Sequence, residues 1–332
     1  MMPETIHCTL FDGERVTENA AVTVENGVIT HIGPSDRGGN GLFLMPGLID
    51  SHTHMGTKAH VDALLCAGVT ATCDVCAPAE LVAESRHLHI VSSAGMAMGV
   101  VLSGKHFVEK MADRGAKYIK VLLFGPHSIG KSALNAITAE AHRCDLKVAA
   151  HATELATVTQ AVEAGVDILL HVPMKEIFPE HLAKAIAQKG IAVAPTLIMM
   201  ETFCNSGRNG YKPEQYANSR AAVKLLHECG VTILGATDAN PGDFAPGVAY
   251  GTSMHRELEL LVEAGLTPVE ALASATAKNA EAFGMETQGR ILPGQRANMI
   301  LMEGRPDQNI HHTANLVRIW ANGDTIWEKE AL

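Results

Sequence analysis

Five apolar runs in this 332-residue chain each carry an ionisable side chain, and no other feature restricts its possible folds so tightly. His52 and His54 close the run FLMPGLIDSHTH, Lys120 sits inside YIKVLLF, His151 inside KVAAHA, His171 inside ILLHV, and Asp238 inside TILGATDA. An unpartnered charge within an apolar strand is costly. Any one of these residues alone reads at least as well as a satisfied core histidine or a structural ion pair. Five strands sharing the habit are better explained by a common meeting point.

The runs are spaced as strands alternating with helices. Six amphipathic stretches end in a glycine followed by a small or β-branched residue, at Gly68, Gly115, Gly165, Gly190, Gly230 and Gly265. Glycine is the usual residue just past a helix end. Five of the six then open a short Val/Ile/Leu/Ala run suited to a strand buried on both faces, while Gly265 joins two helices. Eight such strands can be counted: FLMPGLIDSH, GVTATCDV, HIVSSAGMA, YIKVLLF, KVAAHA, ILLHV, IAVAPTLIM and TILGATDA. The pattern predicts repeated βαβ units. In a flat sheet of that order the first and eighth strands would lie roughly 34 Å apart, seven spacings of about 4.8 Å. Closing the sheet into a (β/α)8 TIM-like barrel brings the five polar strands to one rim, where barrel active sites lie.

The two ends read differently. Asn26-Gly27 and Asn322-Gly323 each separate alternating apolar runs, which is a hairpin signal. The termini, residues 1–45 plus 287–332, are expected to pair into one small β-domain around a barrel of residues 46–286.

Within DSHTH, His52 and His54 lie two apart, so on a strand both imidazoles face the same side and can reach one ion. Seventeen histidines make some close pairs inevitable, and His87/His89 and His311/His312 read as ordinary surface or packing residues.

These motifs resemble the amidohydrolase superfamily, and most of all its imidazolonepropionase-related and Xaa-Pro-dipeptidase-related branch. The likeness rests on MPGLIDSHTHM, GVTATCDV, the lysine in IKV, HATE, the histidine in LLHVP, ATDA and the tail GRILPGQRANMILM, and it runs nearly end to end. The resemblance implies a barrel with a β-sandwich built from both termini and a site for one or two metals. It implies that His52, His54 and Asp238 hold one metal and that His151 and His171 hold a second. Lys120, N6-carboxylated, would bridge them. Zinc suits such ligands, with manganese, cobalt or iron as alternatives. A lysine deprived of solvent has a lowered pKa, and its neutral amine can capture carbon dioxide. The implied activity is hydrolysis of a C–N amide, or an ester or lactone, of a small molecule by metal-bound hydroxide, with Asp238 moving the proton.

Two other readings stand beside this one. Glu154 follows His151 as H-x-x-E, which in the deaminase and cyclic-amide branches places an acid beside a single metal; it reads equally well as a carboxylate at a helix start. Gly125–Ser132, GPHSIGKS, fits the P-loop pattern, a more distant nucleotide-binding alternative. Here the loop is expected to line the pocket, with His127 or Lys131 near substrate. Lys105 and His106 after the third strand, and Arg208 and Tyr211 in TFCNSGRNGYKPEQY, are candidates to read a carboxylate or aromatic group, or else solvated loop residues.

Composition narrows the partners. Lys plus Arg total 26 against 36 Asp plus Glu, a formal charge of −10, and no basic stripe invites nucleic acid. The start MMPETIHCTLFDG lacks a basic residue followed by an apolar run, and no stretch of eighteen apolar residues occurs, so a cytoplasmic protein without membrane contact is expected. Seven scattered cysteines do not form a disulfide framework, and the lone C-x-x-C at Cys73 and Cys76 has no second pair. Assembly into a homo-oligomer is left open by the sequence.

Overall fold

A computed structural model describes residues 3–330. The chain opens with strands β1 (Glu4–Phe11), β2 (Val16–Glu25), β3 (Val28–Pro34) and β4 (Leu42–Pro46). Next come β5 (Leu48–Thr53), α1 (Lys58–Cys66), β6 (Val69–Asp74), α2 (Ala79–Glu84), β7 (His89–Ser92) and β8 (Met96–Ala97). They are followed by α3 (Gly104–Asp113), β9 (Tyr118–Leu123), α4 (Lys131–Arg143), β10 (Lys147–Ala152), α5 (Leu155–Ala164) and β11 (Ile168–Leu170). The next part holds α6 (Glu180–Gln188), β12 (Ala192–Ala194), α7 (Leu197–Ser206), α8 (Tyr216–Glu228), α9 (Thr252–Glu263), α10 (Pro268–Ser274) and α11 (Ala277–Ala282). The C-terminal strands are β13 (Met299–Glu303), β14 (Leu316–Ala321) and β15 (Asp324–Glu328). No helix among the described residues is long and apolar enough to cross a membrane.

The two termini meet in one seven-stranded sheet, ordered β15-β14-β13-β4-β1-β2-β3. Two of its hairpin turns follow from the Asn-Gly pairs: Asn26 and Gly27 have φ of 51° and 76°, Asn322 and Gly323 of 50° and 85°. Both residues of such a turn need positive φ, which Asn and Gly tolerate best. The sheet bends back on itself, because Ile29 donates to the Gln295 carbonyl and Ala297 to that of Gly27.

The strands between form an α/β fold. A three-stranded parallel sheet runs β5-β6-β7 and a five-stranded one β12-β11-β10-β9-β8. All six helix-ending glycines take a left-handed φ, between 67° at Gly190 and 113° at Gly265. The run TILGATDA differs from expectation. It is not a regular strand but makes isolated parallel bridges, Ile233 to Val193 and Ala239 to Thr53. Its backbone is nonetheless bonded on both sides, with Leu234 donating to Val193, and Ser51 donating to Gly235. Between the other edges, Lys117 donates to the Ser92 carbonyl at the end of β7.

Alternation along the strands sorts the core. Tyr118, Ala149, Ile168, Leu170, Leu234 and Ala236 pack together in one cluster. Their neighbours Ile119, Val121, Ala150 and Leu169 pack in another with helix residues such as Leu134, Ile137 and Val158. Successive side chains on a strand face opposite ways, so Lys120 and His151 share the face of Tyr118 and Ala149.

Candidate metal centre

Ser-His-Thr-His leaves the end of β5 with His52 buried and His54 partly open. The Nε2 atoms of His52 and His54 lie 3.4 and 3.0 Å from Asp238 Oδ1. Lys120 Nζ, from the middle of β9, is 3.4 Å from His52 Nε2. The His151 ring, on β10, lies 4.3 Å from that of His171, centroid to centroid, and the His171 ring lies 5.3 Å from that of His52. Donor atoms of His52, His171 and Asp238 all fall within 4.8 Å of one another.

Two of these residues owe their direction to strained backbone. His171 has φ 71° and Asp238 φ 59°, a region that non-glycine residues seldom occupy. Along an unbroken β11, His171 would share the outward face of Leu169. The left-handed turn at its own position instead brings its Nδ1 to 4.0 Å from Asp238 Oδ2.

Burial controls the charge of the cluster. Stripped of water, the Lys120 ammonium falls to about 7, with Asp238 opposing the shift. His52, His151 and His171 are pushed well below the usual imidazole range, first by desolvation and then by neighbouring cationic groups. Neutral imidazoles keep a lone pair free for a cation. The donor set also fits a metal in a second way: His151 Nε2 and His171 Nε2 are buried without a hydrogen-bond partner. Buried polar atoms rarely remain so unless something else satisfies them.

Buried groups around the cluster hold it in place, and sequence reasoning missed them. The Asp50 carboxylate accepts from the backbone of His52 at 3.2 Å and of Thr237 at 3.0 Å, fastening β5 to the segment that carries Asp238. Asp74 accepts from Thr53 Oγ1 at 2.9 Å and Met55 N at 2.6 Å, fixing the chain on either side of His54. Glu257 accepts from the amides of Leu197 and Ile198 at 2.9 and 2.7 Å, capping α7 just after Thr196. A usable signal existed. Asp50 and Asp74 are acids within apolar runs, and Glu257 shares a helical face with Met254, Leu258 and Leu261.

The ligand cluster forms the floor of a cavity of about 430 Å³. His127 and Tyr211 line it, together with methionines and phenylalanines from five separate segments, one of them helix α7. Glu154, Lys105, His106 and Arg208 are exposed and lie outside that lining. Glu154 caps α5 through a reciprocal pair of hydrogen bonds with Thr157. Lys105 pairs with Glu109 at 3.8 Å. In the P-loop-like segment, Gly125–His127 form a 3-10 turn, and Lys131 pairs with Glu163 at 2.7 Å, away from the cavity.

Residues 43–326 match the Amidohydrolase family. The chain belongs to that family. An imidazolonepropionase from Cereibacter sphaeroides is 29% identical over 196 residues, covering 59% of this chain and 44% of the relative, so the match spans less than half of that protein. Among solved structures, a Xaa-Pro dipeptidase with bound methionine in the active site superposes with a TM-score of 0.83 at 18% identity, over 98% of this chain and 100% of the other. The ochratoxinase of A. niger superposes with a TM-score of 0.79 at 21% identity, over 98% and 96%. The chain thus shares its α/β fold with both.

Proposed function

We propose that this amidohydrolase is a metal-dependent enzyme that hydrolyses a C–N amide bond, or an ester or lactone, of a small molecule at a binuclear site. The observation that carries the reading is the convergence of donor atoms from His52, His171 and Asp238 within 4.8 Å, in a chain of this family. In this reading residues 46–286 close as a (β/α)8 barrel, a closure supported by the bonds on both sides of residues 233–239. Residues 1–45 and 287–332, of which 1, 2, 331 and 332 lie outside the described residues, make up the composite β-sandwich in this reading.

His52, His54 and Asp238 would hold one cation, His151 and His171 a second, and Lys120 both as its carbamate. Divalent cations in such a site acidify water and polarise a carbonyl, and zinc suits imidazole and carboxylate donors. The protein's own part is proton transfer and exclusion of solvent. Asp238 Oδ1, 3.0 Å from His54 Nε2, takes the proton of the attacking water and delivers it to the leaving nitrogen. The free amine that Lys120 presents near neutrality adds carbon dioxide and releases a proton, giving an anionic carbamate in place of the neutral amine. A mononuclear deaminase or cyclic amidohydrolase relying on Glu154 is less well supported, because that side chain is exposed and lies outside the cavity lining.

The test is metal content together with turnover across amides, esters and lactones for wild type and Asp238→Asn. About two metals per chain and a loss of about 10²–10⁴ in kcat for the variant are expected. Full turnover by the variant would remove the mechanism.

A further inference from the structure

Five of the chain's 14 methionines, Met96, Met98, Met174, Met199 and Met200, line the cavity above the ligand cluster. Phe124, Phe203 and Phe244 complete the apolar wall. Phe244 packs edge-on against His54 at 4.9 Å and Phe124 against His151 at 5.5 Å, so an aromatic ring flanks the cluster beside each of these histidines. Phe244 and Met98 are 56% and 45% exposed, an unfavourable state for apolar side chains that a bound apolar group would relieve.

The cavity also lacks something among the described residues. Its lining contains no arginine, and its only lysine is Lys120, buried in the ligand cluster. Lys175 approaches the wall only through the Tyr211 ring, over which its Nζ lies at 4.3 Å. The polar lining outside the ligand cluster is His127, Thr153, Asn209 and Tyr211, with no guanidinium or free ammonium to pair a substrate carboxylate. Burying an unpaired carboxylate is costly, whereas thioether side chains adapt to varied apolar shapes at little cost.

We propose that the substrate is uncharged and apolar around the scissile bond, an N-aryl or N-alkyl amide or carbamate rather than a dipeptide or N-acyl amino acid. This rests on the hydrolase reading for the reaction, but not for the binding preference.

The experiment compares N-phenethylacetamide with N-acetylphenylalanine, which differ only by the carboxylate, as substrates of the metal-loaded protein. The ketone isosteres 5-phenylpentan-2-one and 2-benzyl-4-oxopentanoate, which cannot be hydrolysed, are titrated calorimetrically against the same protein. The expected result is a kcat/KM at least about 30-fold higher for the neutral amide and tighter binding of the neutral ketone by a similar factor. If neither amide turns over while the neutral ketone still binds better, the hydrolase reading fails and the pocket assignment stands. Equal or tighter binding of the carboxylate ketone overturns the assignment whatever the activity. Phe244→Arg, at the exposed mouth, is expected to shift the ratio at least about 10-fold towards the acid. An unmoved ratio would mean that a cation already serves the site, and would also overturn it.

Discussion

His171 Nδ1 lies 2.8 Å from Thr196 Oγ1, and both residues sit on left-handed backbone, φ 71° and 50°, where β11 and β12 end. The contact occupies Nδ1 and leaves the buried Nε2 as the free nitrogen. A partner on one ring nitrogen sets both the tautomer and the ring orientation of a histidine ligand. Thr196→Val keeps the shape and removes the hydrogen bond. Metal affinity should fall about 10- to 100-fold with an unchanged circular dichroism spectrum. Competition titration with a chelating dye measures this, and wild-type affinity in the variant would show that Thr196 does not orient the ring.

Lys120 supplies a second expectation. Its amine deprotonates near pH 7, so carbamate formation and metal loading should be faster at pH 8 than at pH 6 when dissolved carbon dioxide is held constant. Lys120→Met should bind about one metal or less and lose any response to carbon dioxide. Elemental analysis after timed reconstitution gives the answer. Equal loading of variant and wild type would count against a bridging role.

Glu257 predicts a pH dependence of stability. Complete burial pushes its carboxyl from 4.5 to about 8, although the amides of Ile198 and Leu197 oppose the shift. The folded chain therefore holds this proton more tightly than the unfolded chain does. Its contribution is fully present below about 4.5, declines as pH rises, and is gone above about 8. Urea unfolding should show wild type losing a few kcal/mol relative to Glu257→Gln between pH 5 and pH 8. Parallel pH profiles for the two proteins would refute it.

Gly47 joins β4 to β5, where the chain leaves the seven-stranded sheet for the site. A Cβ there would lie 2.1 Å from Thr70 Oγ1 and 2.8 Å from Thr70 Cβ. Gly47→Ala should cost about 1–3 kcal/mol, and Thr70→Gly should recover part of it in the double variant. A cost that the second substitution does not reduce would place the strain elsewhere.

Features that depend on neighbours along the chain were legible from the residues alone. Asn-Gly pairs set the hairpins, glycines ended the helices at left-handed φ, and strand periodicity put Lys120 and His151 on the face of Tyr118 and Ala149. Those outcomes follow from local sterics and a two-residue repeat, so a short window of residues suffices to read them. The rest arises where distant segments meet. Strand parity would turn His171 outward, and it is the positive φ at residue 171, imposed where β11 ends, that brings the ring to Asp238. Asp50, Asp74 and Glu257 acquire their roles from amides supplied by other segments, 60 residues away in the case of Glu257 and Leu197. The apolar wall is assembled from Met96, Met199 and Phe244 on three separate segments, while Lys105, His106 and Arg208 are left in solvent. Which side chains cover a cavity depends on how distant elements pack against one another, and that free energy is distributed over contacts no local pattern records.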